Sequence, residues 1–285
     1  MTPIVRHWTT PGGIGLVGEA LGPEGAPAVV LLHGGGQTRH AWAGSMRRLA
    51  AGGYHAVAFD TRGHGDSAWP ADGDYAIATL ADDLRCVVDG MAGPVAIVGA
   101  SLGGLTGFYA IATADRPIAT ALVLVDVVLR PARAGFERTQ AFMAGNQNGF
   151  ASLDEAAAAV SAFNPERKRP ANPAGLRRYL RQRADGRFYW HWDPRVSNQP
   201  VAARADLLIS VAPRMTVPTL LVRGEHSEVV DAAGVAELRR HIPQIEVLEL
   251  AGAGHMIAGD HNDAFMTGVA GFLARTSASL VPPTH

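Results

Sequence analysis

Short apolar, β-branched runs recur along the chain, separated by longer Ala/Leu-rich stretches with helical spacing. The runs Ala28–Leu32, Tyr54–Phe59, Pro94–Val98, Ala121–Val125, Thr219–Val222 and Glu246–Leu250 predict strands. Between them, Thr38–Ala51, Ile77–Met91, Leu102–Ala114, Ala232–His241 and Asn262–Ala274 predict helices, with Asp82 and Asp83 on the polar side of the second. Strands alternating with helices of this length are the pattern of an α/β protein, a mostly parallel central sheet with crossover helices on its faces.

The alternation lapses from 127 to 213. That stretch leans helical, is rich in arginine, and is interrupted by prolines at 131, 165, 170, 173, 194 and 200. A structureless connection of this length inside a compact domain is improbable. The pattern therefore predicts a core formed by 1–126 and 214–285, with a helical lid at 127–213 inserted between two strands. No internal repeat is visible.

Composition narrows the function. Apolar residues make up 47% of 285, enough for a large core, and 25 basic against 26 acidic residues give a formal charge of -1. Such a balance provides no electrostatic basis for binding nucleic acid or an anionic membrane. One cysteine, Cys86, cannot build a disulfide framework and fits a reducing compartment; its apolar surroundings, Leu84 to Val88, suit a small packing residue. Residues 1–10 lack a basic stretch followed by an apolar run, and no segment approaches the ~20 apolar residues of a membrane span. The expectation is a cytoplasmic protein acting on a small molecule, with a homodimer left open.

The sharpest motif is Gly99-Ala100-Ser101-Leu102-Gly103, a G-x-S-x-G between an apolar strand and a helical segment. A tight strand-to-helix turn lifts the serine Oγ out of the sheet edge, and a Cβ at either flanking glycine would obstruct it. The sequence here resembles the α/β-hydrolase superfamily over nearly the whole chain outside the lid. The resemblance implies Ser101 as a nucleophile that forms an acyl-enzyme.

It also implies roles for three further segments. His33-Gly34-Gly35-Gly36, after the strand Ala28–Leu32, looks like the oxyanion loop of lipases and esterases, with the amides of Leu102 and Gly35 as donors and Gly36 as second choice. His33 reads as a brace for this loop. His255, in Gly252-Ala253-Gly254-His255 after the strand Glu246–Leu250, takes the family's late-chain position for the general base, ahead of His226 and His261. Glu228 stands where related sequences often carry the triad acid, with Asp126, at the end of the strand Ala121–Val125, as its rival. The run Asp60-Thr61-Arg62-Gly63-His64-Gly65-Asp66-Ser67 could suggest a metal site, but its glycines and arginine suit a hydrogen-bonded turn. No metal or cofactor is implied.

Trp42, Tyr189 and Trp190 are the candidate pocket residues, the last two from the densest aromatic patch in the chain. Serine at the elbow, in place of the aspartate of haloalkane dehalogenases and epoxide hydrolases, points to acyl transfer to water. Carboxylic esters, lactones and thioesters of small, largely apolar compounds come first as substrates. Carbon–carbon hydrolysis, or perhydrolysis as in the similar cofactor-free peroxidases, would use the same triad. A small-molecule receptor on this fold is the reading of another class.

Overall fold

The computed structural model describes residues 1–163, 172–198, 200–254, 257 and 263–278, with 277 and 278 by backbone alone. Eight strands form one twisted sheet: β1 (Ile4–Thr9), β2 (Gly15–Leu21), β3 (Ala28–Leu32), β4 (His55–Phe59), β5 (Val95–Ala100), β6 (Ala121–Val125), β9 (Thr219–Gly224) and β10 (Glu246–Leu250). Their spatial order is β1-β2-β4-β3-β5-β6-β9-β10. From β4 to β10 every pairing is parallel; β1 and β2 add an antiparallel edge. The chain has the α/β-hydrolase fold, a mostly parallel central sheet flanked by helices.

Side chains of a strand alternate between its two faces, and the core divides accordingly. Val30, Leu32, Ile97 and Leu122 face one way, onto α2 (Ile77–Asp89), α3 (Leu102–Ala112), α6 (Val201–Val211) and α7 (Ala232–His241). Val29, Leu31, Val98 and Val123 face the other, onto α1 (Ala43–Ala51) and α8 (Asp263–Ala278). Central strands covered on both sides must be apolar throughout, and β3, β4, β5 and β6 are buried at every position. Cys86 sits half-buried on α2, its thiol 3.6 Å from the Thr9 carbonyl.

The predicted strands and helices recur with boundary shifts of a few residues. The helix expected from Thr38 begins instead as a 3-10 turn, Arg39–Trp42, before α1. The β1–β2 hairpin has no counterpart in the predicted elements, because β1 carries Arg6 and His7 and is largely exposed, leaving little apolar signal.

Between β6 and β9 lie, among the described residues, α4 (Arg133–Ala144), α5 (Leu153–Phe163), α6 and three further 3-10 turns, Pro173–Tyr179, Pro194–Asn198 and Ala212–Arg214. A two-stranded hairpin, β7 (Leu180–Gln182) with β8 (Phe188–Trp190), interrupts the helical character expected there. This segment has a small core of its own around Met143, Phe150, Leu180, Trp190 and Trp192.

β5 and α3 cross at very close range. A Cβ at Gly99 would stand 2.4 Å from the Gly103 carbonyl carbon, and one at Gly103 would stand 2.6 Å from the Leu32 Cβ. Gly15, in β2, has nothing within 4 Å of such an atom. Overpacking of this kind costs about 1–3 kcal/mol, or roughly 2–4 °C per kcal/mol in a chain of this size. Thermal unfolding of Gly99→Ala should therefore begin about 2–12 °C below wild type, while Gly15→Ala stays within about 1 °C.

Candidate active site

Ser101 follows β5 directly and precedes α3, with φ 46° and ψ −117°. A non-glycine residue in that region carries strain of about 1–3 kcal/mol, which the surroundings must hold in place. Two hydrogen bonds do so: the Ser101 amide donates to the Val125 carbonyl (3.1 Å) and the Leu105 amide donates to the Ser101 carbonyl (3.1 Å). The half-buried serine opens onto a cavity of about 570 Å³ between the sheet's C-terminal edge and the segment between β6 and β9.

The loop after β3 flanks it. A Cβ at Gly34 would lie 3.3 Å from that of Ser101, so the loop backbone runs beside the serine. The Gly34 amide donates to Gln37 Oε1 (3.1 Å) and the Gly36 amide to His64 Nε2 (3.1 Å). Gly35 and Leu102 both line the cavity, and among the described residues neither amide has an intramolecular acceptor. Gly36, the second choice for the oxyanion hole, is thus already engaged.

Three buried histidines hold this loop. His33 Nε2 accepts from the Thr61 amide (3.0 Å), so its Nδ1–H donates to the Gly34 carbonyl (2.8 Å). His64 accepts from Gly36 at Nε2 and donates from Nδ1 to the Arg62 carbonyl (3.1 Å). His191, from the loop after β8, accepts from the Gly65 amide at Nδ1 (2.8 Å). The rings follow one another at centroid spacings of 5.0 and 6.1 Å. Burial lowers all three pKa values: His33 to about 4 and His64 to about 3, the latter aided by His33 and opposed by Asp60 and Asp193, with His191 also well below the ordinary value.

The Asp60–Ser67 stretch is a hydrogen-bonded turn. Asp60 accepts from the amides of Arg39 (2.7 Å) and Asp66 (2.9 Å) and from the Arg39 guanidinium, and Arg62 grips Asp83 through two bonds of 2.6 and 2.7 Å.

The two acid candidates lie in different environments. Glu228 is half exposed and paired with Arg138 of α4 at 2.7 Å. Asp126 is buried at the end of β6, in left-handed backbone (φ 47°), and accepts from the Gly224 amide (2.9 Å) and the Ser227 hydroxyl (2.6 Å). Because Ala100 pairs with Val125, Asp126 is also the residue across the strand pair from Ser101. His255 and His261 lie outside the described residues. The chain leading to 255 packs here nonetheless: a Cβ at Gly224 would meet the carbonyls of Ala253 and Gly254 at 2.4 and 2.7 Å. His226 is on the surface, its ring facing Glu225 at 4.0 Å.

Of the pocket candidates, the structure brings only Trp190 to the cavity. Its ring stacks on Trp192 at 4.7 Å and meets Phe150 edge-on. Trp42 is turned into the core against Phe265 by the 3-10 turn before α1. Tyr189, adjacent to Trp190 on β8, points to the opposite side, bonding Asp185 and lying under Arg183. Met143, which no motif marks, and Trp192, from the same aromatic patch as Trp190, cover the glycine loop: Met143 Sδ would lie 3.2 Å from a Gly35 Cβ and the Trp192 ring 3.5 Å from a Gly36 Cβ. Among the described residues no group of three or more His, Cys, Asp or Glu could hold a metal ion, and no helix is long and apolar enough to cross a membrane.

A family model described as the alpha/beta hydrolase fold matches residues 27–262. The chain belongs to the α/β-hydrolase family. Esterase Rv0045c of Mycobacterium tuberculosis is 33% identical over 258 residues, 87% of this chain and 83% of that one. A crystal structure of that M. tuberculosis esterase superposes with a TM-score of 0.75 at 28% identity, over 96% of this chain and 93% of the other. The structure of E-2-(acetamidomethylene)succinate hydrolase shares the α/β-hydrolase fold with a TM-score of 0.85 at 23% identity, over 96% of this chain and all of the other.

The buried histidines also set a pH dependence for this α/β-hydrolase. In the unfolded chain they take up protons below about pH 6.5; in the fold they stay neutral to about pH 4 and 3. The unfolded state therefore binds more protons in that window, and stability falls as pH drops through it. Thermal unfolding followed between pH 7 and 4 should show a declining midpoint, with a shallower decline in His64→Gln.

Proposed function

We propose that the protein is a serine-dependent carboxylic ester hydrolase working through an acyl-enzyme, with Ser101 as nucleophile and His255 as general base. The observation that carries this reading is the strained Ser101, facing a cavity beside two amides that lack internal acceptors among the described residues. The esterase identity of the M. tuberculosis relative supports it.

In this mechanism Ser101 Oγ attacks the ester carbonyl while His255 takes its proton. Charge developing on the carbonyl oxygen is met by the N–H groups of Gly35 and Leu102, donors fixed in advance by the loop and the helix start. Leu102 opens α3, so the positive end of the helix adds to the field. Collapse of the tetrahedral intermediate expels the alcohol, which receives the proton from His255. Water then repeats the sequence on the acyl-enzyme and releases the acid.

The triad acid in this proposal is Asp126, in place of Glu228. A carboxylate that orients an imidazole and stabilises its charged form works best buried and fixed. Asp126 is buried, is held by Gly224 and Ser227, and sits beside the chain that leads to 255. Glu228 spends its charge on Arg138 near solvent. The segment 127–213 acts as a lid, with Met143, Trp190 and Trp192 walling an apolar pocket above the nucleophile.

Ser101→Ala should abolish covalent labelling by a fluorophosphonate probe and lower kcat on 4-nitrophenyl butyrate by about 10⁴-fold or more. Labelling that persists in this variant would exclude Ser101. Tight ligand binding with negligible wild-type turnover would instead favour a receptor. On the same substrate Asp126→Asn should cost about 10²–10⁴-fold in kcat, and Glu228→Gln less than about fivefold; the opposite ranking would return the role to Glu228.

A further inference from the structure

Among the described residues, the cavity that holds Ser101 is lined by no aspartate or glutamate, yet four arginines reach it. Arg47, Arg48 and Arg178 are exposed or partly exposed, and Arg48 is paired with Asp263. Arg204 is different. It stands on the first turn of α6, partly buried, and its guanidinium lies 5.8 Å from the centre of the Phe136 ring. Among the described residues it has no carboxylate partner and no hydrogen-bond acceptor.

A guanidinium cannot shed its charge in a protein, so even partial burial without a carboxylate partner has a cost that an incoming anion would relieve. Its position adds to the cost, because the start of a helix is the positive end of the dipole. The contrast with other arginines is direct. Pairing with carboxylates raises the pKa of Arg39, Arg62, Arg130, Arg133 and Arg195, whereas burial lowers that of Arg204. Other polar groups of the wall are already engaged: the Thr139 hydroxyl donates to the Gly135 carbonyl, the Gln140 amide to that of Ser197, and the Ser197 hydroxyl to that of Pro194. Arg204 also borders a smaller adjoining cavity that, like the main one, is lined by Leu102, the residue after the nucleophile.

We infer that the substrate is an anionic ester, carrying a carboxylate that Arg204 receives while the rest of the molecule fills the apolar pocket. This deepens the hydrolase reading above and rests on it. A charge-assisted bond to a partly desolvated guanidinium gives discrimination of about 10- to 100-fold between a carboxylate and a neutral group of the same shape.

The test compares matched pairs of esters, corrected for spontaneous hydrolysis. 4-Nitrophenyl hydrogen adipate against 4-nitrophenyl hexanoate places the charge on the acyl half. 4-Carboxyphenyl butyrate against phenyl butyrate places it on the alcohol half. Wild type should prefer the charged member of at least one pair by about tenfold or more in kcat/KM. Arg204→Met should reduce that preference at least tenfold, and Arg204→Lys should retain part of it. Free adipate should also slow fluorophosphonate labelling of wild-type Ser101, a measurement that needs no variant. Labelled Ser101 and ester turnover with no charge preference in either pair would overturn the inference and leave the hydrolase reading standing. Absence of both labelling and turnover would remove that reading, and this inference with it.

Discussion

Close contact between β5 and α3 governs the site. Only glycine at 99 and 103 lets the helix start so near the strand that precedes it. That approach leaves Ser101 no relaxed backbone conformation, and φ 46° is the consequence. The strain is held by the Val125 carbonyl on one side and the first turn of α3 on the other. In return the hydroxyl stands clear of the sheet, the Leu102 amide opens beside it, and the cavity begins there. A more relaxed turn would ease the backbone and lose all three.

A second constraint fixes what faces the serine. The loop after β3 has three consecutive glycines beside Ser101, and so cannot hold its own shape. Neutral imidazoles do it instead, each accepting one backbone N–H and, for His33 and His64, donating to one carbonyl. His191 and Asp193 tie the segment between β6 and β9 into the same network, through the Gly65 amide and the Gly63 carbonyl. The cover over the cavity and the loop beneath it are therefore mechanically one unit. Burial keeps its three imidazoles neutral, which suits a position under the loop, where a buried cation would compete for the same carbonyl dipoles.

Much of this was legible in the residue order. Strands buried on both faces must be apolar throughout, and that is why β3, β5 and β6 stand out. The elbow is legible because five consecutive residues carry its geometry. Side-chain direction is less so. Glu228 and Asp126 both follow a strand, and only the left-handed backbone at 126 and the bonds from Gly224 and Ser227 distinguish a buried, held carboxylate from a surface one. Trp42 falls in a 3-10 turn that rotates it into the core, and Tyr189 and Trp190 are separated by the alternation of a short strand. Arg204 carries no motif; among many arginines it is set apart by what does not surround it. His64 had one visible signal, its place between the glycines of the turn, but its partner Gly36 is 28 positions away.

The central claim is geometric: one strained serine with two amide hydrogens aimed at the oxygen that becomes negative. Its most direct test is a crystal structure of the protein after reaction with a fluorophosphonate. The account predicts phosphorus bonded to Ser101 Oγ and a phosphoryl oxygen about 2.7–3.1 Å from both the Gly35 and Leu102 nitrogens. An adduct on another side chain, or a phosphoryl oxygen turned away from those two amides, would contradict it.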